Sequence, residues 1–507
     1  MAAVQPTEYD FIVVGSGAGG SVMANRLTEN PDVTVLVLEA GGAEVPEMVH
    51  AAPDWAKLWG TEFDWNYKST PQDALDGRQT DEHRGKLAGG SSDLYIMMHI
   101  RGHKSDFDGW AANGCPGWTY DECLPWFQKQ EDQEDDTNPT GGKGGPLAVT
   151  NAGLHDPNPA SAAFIEACVA LGHPRTEDFN GPQMEGAGWH HINVKDGRRV
   201  GTYAGYLQPA LSRPNLTLSP NSMAARLVLT DGRCTGVEYV KDGQTITDTA
   251  RKEVIVCGGA LESPKLLLLS GIGPARHLEE VGVPVQVNLP GVGENFHNHV
   301  LVPVIQLTAE TLPPPTQNAS EVALFTKSDP DNVGPDLQFA FVHVVPGLPG
   351  AVVILPGVVQ PKSRGWIRLA STNPMDLPLV NPNYLGDPAD RDRLADAIEV
   401  ARAIYATEPM SNYVKQEIVP GPDATGPDAL RGFVTAAADS YHHQAGSCKM
   451  GSDDMAVVDP DLKVRGVEGL RIADASVMPV VPSGNCHAAI VMIAERLSDM
   501  LKADHDL

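Results

Sequence analysis

No segment of this chain approaches the roughly 18 consecutive apolar residues that a membrane-spanning helix needs. Its longest apolar runs, Leu266 to Leu269 and AVVILPGVV at 351–359, are far shorter, so no membrane span is expected. The first strand is expected to begin near Tyr9, which leaves no room for a secretory leader. Cysteine is sparse: there are seven, an odd number, with no Cys-x-x-Cys pair and no zinc-like spacing. That excludes a disulfide framework and a structural metal site, and it fits reduced thiols in a cytoplasm. Positive charge is also short. Lys and Arg number 37 against 65 Asp and Glu, a net charge of −28 that repels phosphate backbones and argues against nucleic acid as a partner. No internal repeat is visible.

What remains is a globular composition of 507 residues, long enough for two domains and a large core. The chain opens with EYDFIVVGSGAGGSVMANRLTENPDVTVLVLEAGG. Phe11 to Val14 reads as a short buried strand, Ser21 to Leu27 as a helix, and Thr34 to Leu38 as a second strand. Between the first two lie Gly15, Gly17 and Gly20, in the spacing G-x-G-x-x-G. The first glycine permits a tight turn, the second lets backbone approach a pyrophosphate, and the third lets helix pack on strand. The helix N-terminus offers free N–H groups to phosphates. Glu39 closes the second strand, where a carboxylate can accept from ribose hydroxyls. In this strand–turn–helix–strand–acid order the motif predicts a bound dinucleotide.

The motif alone does not separate FAD from NAD. Two observations favour FAD. There is one such fingerprint, and a late strand, LRIADASVMP, ends in Asp474 and Ala475 and can return an acid to the cofactor. The competing reading of Asp474 is a helix N-cap. A glycine–serine loop, Gly89-Gly90-Ser91-Ser92, can let backbone pass close to a flat ring, or be a plain tight turn. GGALESPKLLLLSGIGP runs from Gly258 to Pro274. In it, Ser263-Pro264 is expected to start a helix with proline in its first turn, and Ser270-Gly271-Ile272-Gly273 to end it.

In this stretch Gly259, Ala260, Ser263, Pro264, Leu266, Leu267, Ser270, Gly271, Ile272 and Gly273 resemble the second signature of the glucose–methanol–choline oxidoreductases. The N-terminal fingerprint, the glycine–serine loop, LPGVGENFHNH at Leu289 to His299, and two C-terminal segments follow that family's order, so the likeness runs from about Tyr9 to Leu501. It implies FAD, alcohol oxidation by hydride transfer to the flavin ring, and oxygen or a quinone-like molecule as acceptor. It also implies an α/β (α+β) fold, with a Rossmann-like FAD-binding domain and a substrate domain of antiparallel sheet with helices. We expect the former over 1–155, 200–300 and 436–507, and the latter over 156–199 and 301–435. Relatives that cleave cyanohydrins with redox-idle FAD, or decarboxylate in light, are the alternatives.

The resemblance also selects residues. In SYHHQAGSCKMG, aligning back from Met450-Gly451 puts the family's catalytic histidine at His443. His487, in VPSGNCHAAIVMIAERLSDML, occupies the second catalytic position, where choline-using relatives commonly have asparagine. A neutral histidine can accept the hydroxyl proton near pH 7, because its ordinary pKa of about 6.5 lies close by. A second can hold the alkoxide oxygen in place. The helix after His487 should turn its N-terminal dipole toward the flavin. The backbone near Ala224 is where the family tends to hold adenine. His442, His83, His99, His103 and His299 are expected to be structural, with the His442 side chain directed away from the ring. Three departures stand out. Ala88 replaces a branched aliphatic residue, Tyr95 replaces an asparagine, and Leu94 stands where some relatives attach FAD through histidine, so the FAD here is expected to be noncovalent.

Two further expectations concern loops. Glu131 to Gly145 reads as an acidic, then glycine-rich, surface loop. Asp390 to Thr407 reads as an amphipathic helix.

Overall fold

A computed structural model describes residues 7–507. The opening segment folds as β1 (Glu8–Val14), α1 (Ala18–Leu27) and β2 (Val35–Leu38). Much later the chain returns with β3 (Leu216–Ser219), β4 (Ser222–Thr230), β5 (Arg233–Lys241), the long β6 (Gln244–Val256), α2 (Gly259–Leu269), β7 (Leu470–Ile472) and α3 (His487–Asp504). These seven strands form one sheet in the order β3-β2-β1-β6-β5-β4, with β7 also on β6. The first half of β6 pairs antiparallel with β5, and its second half lies parallel to β1 and β7. β1 and β2 are fully buried apart from the start of β1 and read as continuous apolar runs; α1 packs against both, and β4 comes up against β2.

Register decides where the chemistry goes. Val14 sits beside Leu38 and Val256, and Val256 beside Ile472. The carboxyl ends of four parallel strands therefore stop at one level, and the residues that follow them crowd round one crevice. That is where open α/β sheets bind ligands.

A second sheet of eight strands is antiparallel. Its path runs 414–419, 304–308, 351–358, 337–342, 322–326 and 186–189, with the short strands 300–301 and 439–440 at one end. Strand 439–440 comes from beyond the 435 border expected for the substrate domain. Alternation with period two splits this sheet. Val304, Val352 and Ile354 pack under the helices Pro159–Ala170 and Pro388–Ala406, while Ile305, Val353 and Leu355 face the other way into a cavity.

Two local expectations change. α2 starts at Gly259, not at Ser263, so Pro264 lies inside the helix. Proline has no N–H for the Ala260 carbonyl; Ser447 Oγ–H serves it instead at 2.6 Å. The acidic stretch is not all surface loop. Glu131–Gln133 is a strand, and buried Glu131 accepts from Arg101 Nε at 2.7 Å and faces His99 Nε2 at 3.0 Å.

Candidate active site

The crevice at the aligned strand ends is shaped by close backbone contacts. Gly15 leaves β1 at φ +94°, and a Cβ there would lie 2.5 Å from the Cys257 carbonyl oxygen. A Cβ on Gly20 would fall 1.8 Å from the Gly15 carbonyl oxygen. Gly17 has no such wall; only the Cα of Gly90 stands near, at 3.8 Å. The two glycine loops are joined by the Gly89 N–H, which donates to the Ser16 carbonyl at 3.1 Å. α1 begins after Gly17 with no side-chain cap, which leaves its first N–H groups open for an anion.

Glu39 is buried on the wall of this cleft. Its Oε2 accepts from the Ser16 N–H at 2.9 Å and the Ser16 hydroxyl at 2.7 Å, and its Oε1 from the Gly41 N–H at 2.8 Å. Burial pushes its pKa up, and these donors pull against that. Asp474 is a cap that also lies on the cleft wall. Its Oδ1 caps the turn Ala475–Val477 through the Ser476 N–H at 2.8 Å. Its Oδ2 accepts from the Gly259 N–H at 2.9 Å and the Ser263 hydroxyl at 2.5 Å, fixing the start of α2, and the residue lines the cleft. Ala224 and Ala475 line it too; the β4 ladder slips its register between Ala224 and Arg226. Gly15, Gly17, Gly90 and Ser91 complete the wall, while Gly20 and Gly89 stand behind it. Open helix N–H groups, a buried carboxylate and bare backbone on opposite sides of one slot fit a dinucleotide.

A second cavity of about 550 Å³ adjoins the first, sharing Ala18, Arg84, Ser91 and Ile490 with it. His443 and His487 both line it. The His443 ring stacks on Tyr441 with centroids 5.0 Å apart, and the His443 backbone N–H donates to Asn298 Oδ1 at 2.7 Å. Its Nδ1 lies 2.9 Å from His299 Nδ1, and its Nε2 lies 3.0 Å from Asn485 Nδ2. The protons can be placed. Asn485 Nδ2 is an amide donor, so the His443 Nε2 it faces is an acceptor and His443 Nδ1 carries the ring proton. His299 Nδ1 is then an acceptor, His443 Nδ1–H donates to it, and His443 Nε2 accepts from the Asn485 Nδ2–H at the cavity wall. Burial, followed by the His299 charge, holds the His443 pKa well below the ordinary histidine value, so the ring is neutral at neutral pH.

His487 is the first residue of α3, whose N-terminus has no side-chain cap. Burial lowers its pKa to about 3, and its Nε2 is buried without a protein partner. It stands ready for a hydrogen bond from the cavity side.

His442 departs from expectation. Its ring lines the same cavity, stacked on Tyr95 with centroids 5.5 Å apart and edge-on to Trp59 at 5.0 Å. Its φ of +63° turns the chain so that two successive side chains reach one space. His299, expected to be structural, is the partner of His443. His83 pairs with Asp64 at 2.5 Å, His99 with Glu131, and His103 caps a helix, as structural residues do. Tyr95 occupies the cavity wall and its hydroxyl accepts from Arg84 at 2.7 Å. Ala88 is buried, and Leu94 packs with Val49, Leu58 and Leu87 away from the cavity. Sequence reasoning also passed over Gly19, whose Cβ would lie 1.9 Å from the Ala473 carbonyl oxygen and which lets α1 reach β7. The pair of histidines two apart in NFHNH was the available signal for His299.

Among the described residues no helix is long and apolar enough to cross a membrane, and no cluster of His, Cys, Asp and Glu is arranged for a metal. The GMC oxidoreductase family models match residues 9–301 and 361–494. Mitochondrial choline dehydrogenase of Mus musculus is 38% identical, over 99% of this chain and 91% of its own length. The crystal structure of pyridoxine 4-oxidase from Mesorbium loti superposes with a TM-score of 0.94 at 33% identity, covering 98% of this chain and 100% of that one. A formate oxidase of Aspergillus oryzae RIB40, studied for its FAD modification, gives 0.91 at 28% identity, covering 99% and 100%.

Proposed function

The chain belongs to the GMC oxidoreductase family, FAD-dependent enzymes acting on CH–OH groups, and we propose that it oxidises a neutral primary alcohol, with oxygen or a quinone-like molecule as final acceptor. The observation that carries this reading is His443 on the wall of a cavity that adjoins the cofactor cleft, its Nδ1 against His299 and its Nε2 against Asn485 Nδ2.

Gly15, Gly17, Gly20 and the start of α1 would hold the FAD pyrophosphate, and Glu39 the adenosine ribose. Ala224 would meet the adenine, and Gly89, Gly90, Ser91, Asp474 and Ala475 would border the rest. When bound, FAD supplies the ring that takes up hydride. Leu94 has no nucleophile, so the attachment is noncovalent. We assign 1–155, 200–300 and 436–507 to the cofactor and 156–199 and 301–435 to the substrate.

His443 accepts the proton of the substrate hydroxyl at Nε2, leaving an alkoxide whose C–H bond is easier to break. His487 holds the alkoxide oxygen through its free Nε2 and so fixes the C–H direction. Most of the remaining wall is apolar: Trp55, Met97, Met98, Pro303, Val342 and Leu355 among others. One carboxylate reaches the cavity, Asp439 at the exposed edge, and the half-buried cation Arg84 lies on its wall. A trimethylammonium group would find no buried counter-charge there, which moves the substrate away from choline toward uncharged alcohols. No observation favours cyanohydrin cleavage or photodecarboxylation. The seven free, buried cysteines fit a cytoplasmic location.

Anaerobic mixing with benzyl alcohol, 1-hexanol and choline tests the reading. The flavin should bleach with one of the neutral alcohols and bleach poorly with choline. A flavin that stays yellow with every alcohol would overturn it.

A further inference from the structure

We propose that His442 determines substrate specificity by accepting a hydrogen bond at Nε2 from a second O–H group on the alcohol. The inference rests on the alcohol-oxidising reading and adds a substrate class to it: alcohols with another hydroxyl away from the reacting carbon.

The proton on His442 is placed by a buried chain. Glu82, 0% exposed, has no cationic partner. Its Oε1 accepts from Tyr384 Oη at 2.8 Å and Thr80 Oγ1 at 2.9 Å. Its Oε2 accepts from Gln444 Nε2 and from Ser440 Oγ at 3.0 Å. Burial pushes its pKa up, and donors on both oxygens pull against that and favour the carboxylate. Ser440 has one proton, and two groups compete for it: this carboxylate and His442 Nδ1 at 3.2 Å. The charge-assisted bond is the stronger, so the proton goes to Glu82. Ser440 Oγ also accepts from Asn298 Nδ2 at 2.9 Å and from the His442 backbone N–H at 3.1 Å, so His442 Nδ1 faces an oxygen with no proton to offer, and we place the hydrogen on Nδ1. The Nε2 of His442 is left as an acceptor, and no protein group bonds it.

The setting makes that acceptor useful. His442 stays neutral, because burial and the neighbouring Arg84 and His83 charges depress its pKa. Its ring is clamped between Tyr95 and Trp59, and the backbone at Ser440 and His442 is tied to the same network through the His442 N–H to Ser440 Oγ bond at 3.1 Å. A residue held at φ +63° against its own preference is over-determined by its surroundings, which is common where strain serves a site. In a mostly apolar wall, one fixed acceptor discriminates strongly between a donor and its methyl ether.

The test uses holoenzyme and ligands with no carbinol group, so that binding is read without turnover. Flavin absorbance titrations give Kd for 3- and 4-methylphenol and for the corresponding methylanisoles. Wild type should prefer one of the phenols over its ether by about three- to tenfold, the worth of one hydrogen bond. His442→Phe, which keeps the stack on Tyr95, should bind both about equally, with the ether Kd and the FAD content unchanged. Glu82→Gln can donate to Ser440, sends the Ser440 proton to His442 Nδ1, and should lower or reverse the preference. An equal preference in wild type and His442→Phe overturns the proposal, as does equal loss of phenol and ether, or loss of FAD in that variant. A wild-type preference retained in Glu82→Gln overturns the proton chain. If the preference follows His442 while no alcohol bleaches the flavin, this inference stands and the reading of the reaction fails.

Discussion

His443 and His299 face each other Nδ1 to Nδ1 across 2.9 Å, and one proton lies between them. Because the Asn485 amide N–H takes up His443 Nε2, that proton belongs to His443. A residue from the segment before the second sheet therefore accepts the ring N–H of the base 144 positions later.

Removing that acceptor should cost rate without removing the base. His299→Ala is expected to slow anaerobic flavin reduction roughly tenfold, less than the 10²–10⁴ typical of losing a general base. His299→Gln, which can still accept from Nδ1–H, should restore much of it. Stopped-flow reduction of the two variants checks this; identical defects would point to packing instead.

The pH profile should lack an acid limb near neutrality. A base is lost as pH falls through its pKa, and burial holds that of His443 well below the ordinary histidine value of 6.5. Burial likewise lowers His487 to about 3. The rate of flavin reduction at saturating alcohol should stay level from pH 8 to pH 6. A fall centred near pH 6.5 would show an ordinary, solvated imidazole.

Glu39→Ala should weaken FAD binding by roughly 1.5–3 kcal/mol, the range for a charge-assisted hydrogen bond. It also leaves the Ser16 and Gly41 N–H groups without their acceptor, so the turn itself should loosen. FAD content after dialysis at low flavin, beside Glu39→Gln, measures the effect. Equal content in variant and wild type would count against the role of Glu39.

Acid precipitation should leave a colourless pellet and a yellow supernatant, since Leu94 offers no nitrogen for a flavin bond and packs away from the cavity. Colour kept in the pellet would contradict noncovalent attachment.

The parts of this site that were legible in the sequence are local. Gly15, Gly17, Gly20 and Glu39 sit within one strand–turn–helix–strand unit, where each residue's task follows from its neighbours. Asp474 was legible with both its readings; the cap is observed, and the same side chain lies on the wall of the crevice. The misread parts depend on distant contacts. Pro264 looked like a helix start because its missing N–H is costly, yet Ser447 supplies the hydroxyl that makes an interior proline tolerable. Glu131 looked like part of an acidic surface, and only the arrival of Arg101 and His99 makes it a core residue. His442 was expected to point away because successive residues of an extended chain alternate; its positive φ breaks the alternation. Glu82 and Asn485 carry no local mark and His299 only the paired histidines of NFHNH; they become meaningful when strand pairing brings residues 299 and 441 together.

Stopped-flow reduction of His443→Ala by an alcohol that bleaches the wild type, under anaerobic conditions, bears most directly on the assignment of the base. With FAD content and circular dichroism equal to wild type, the reduction rate should fall by about 10²–10⁴. His487→Ala should lose less, because that residue orients the oxygen and does not take its proton. Reduction of His443→Ala at the wild-type rate would contradict the account.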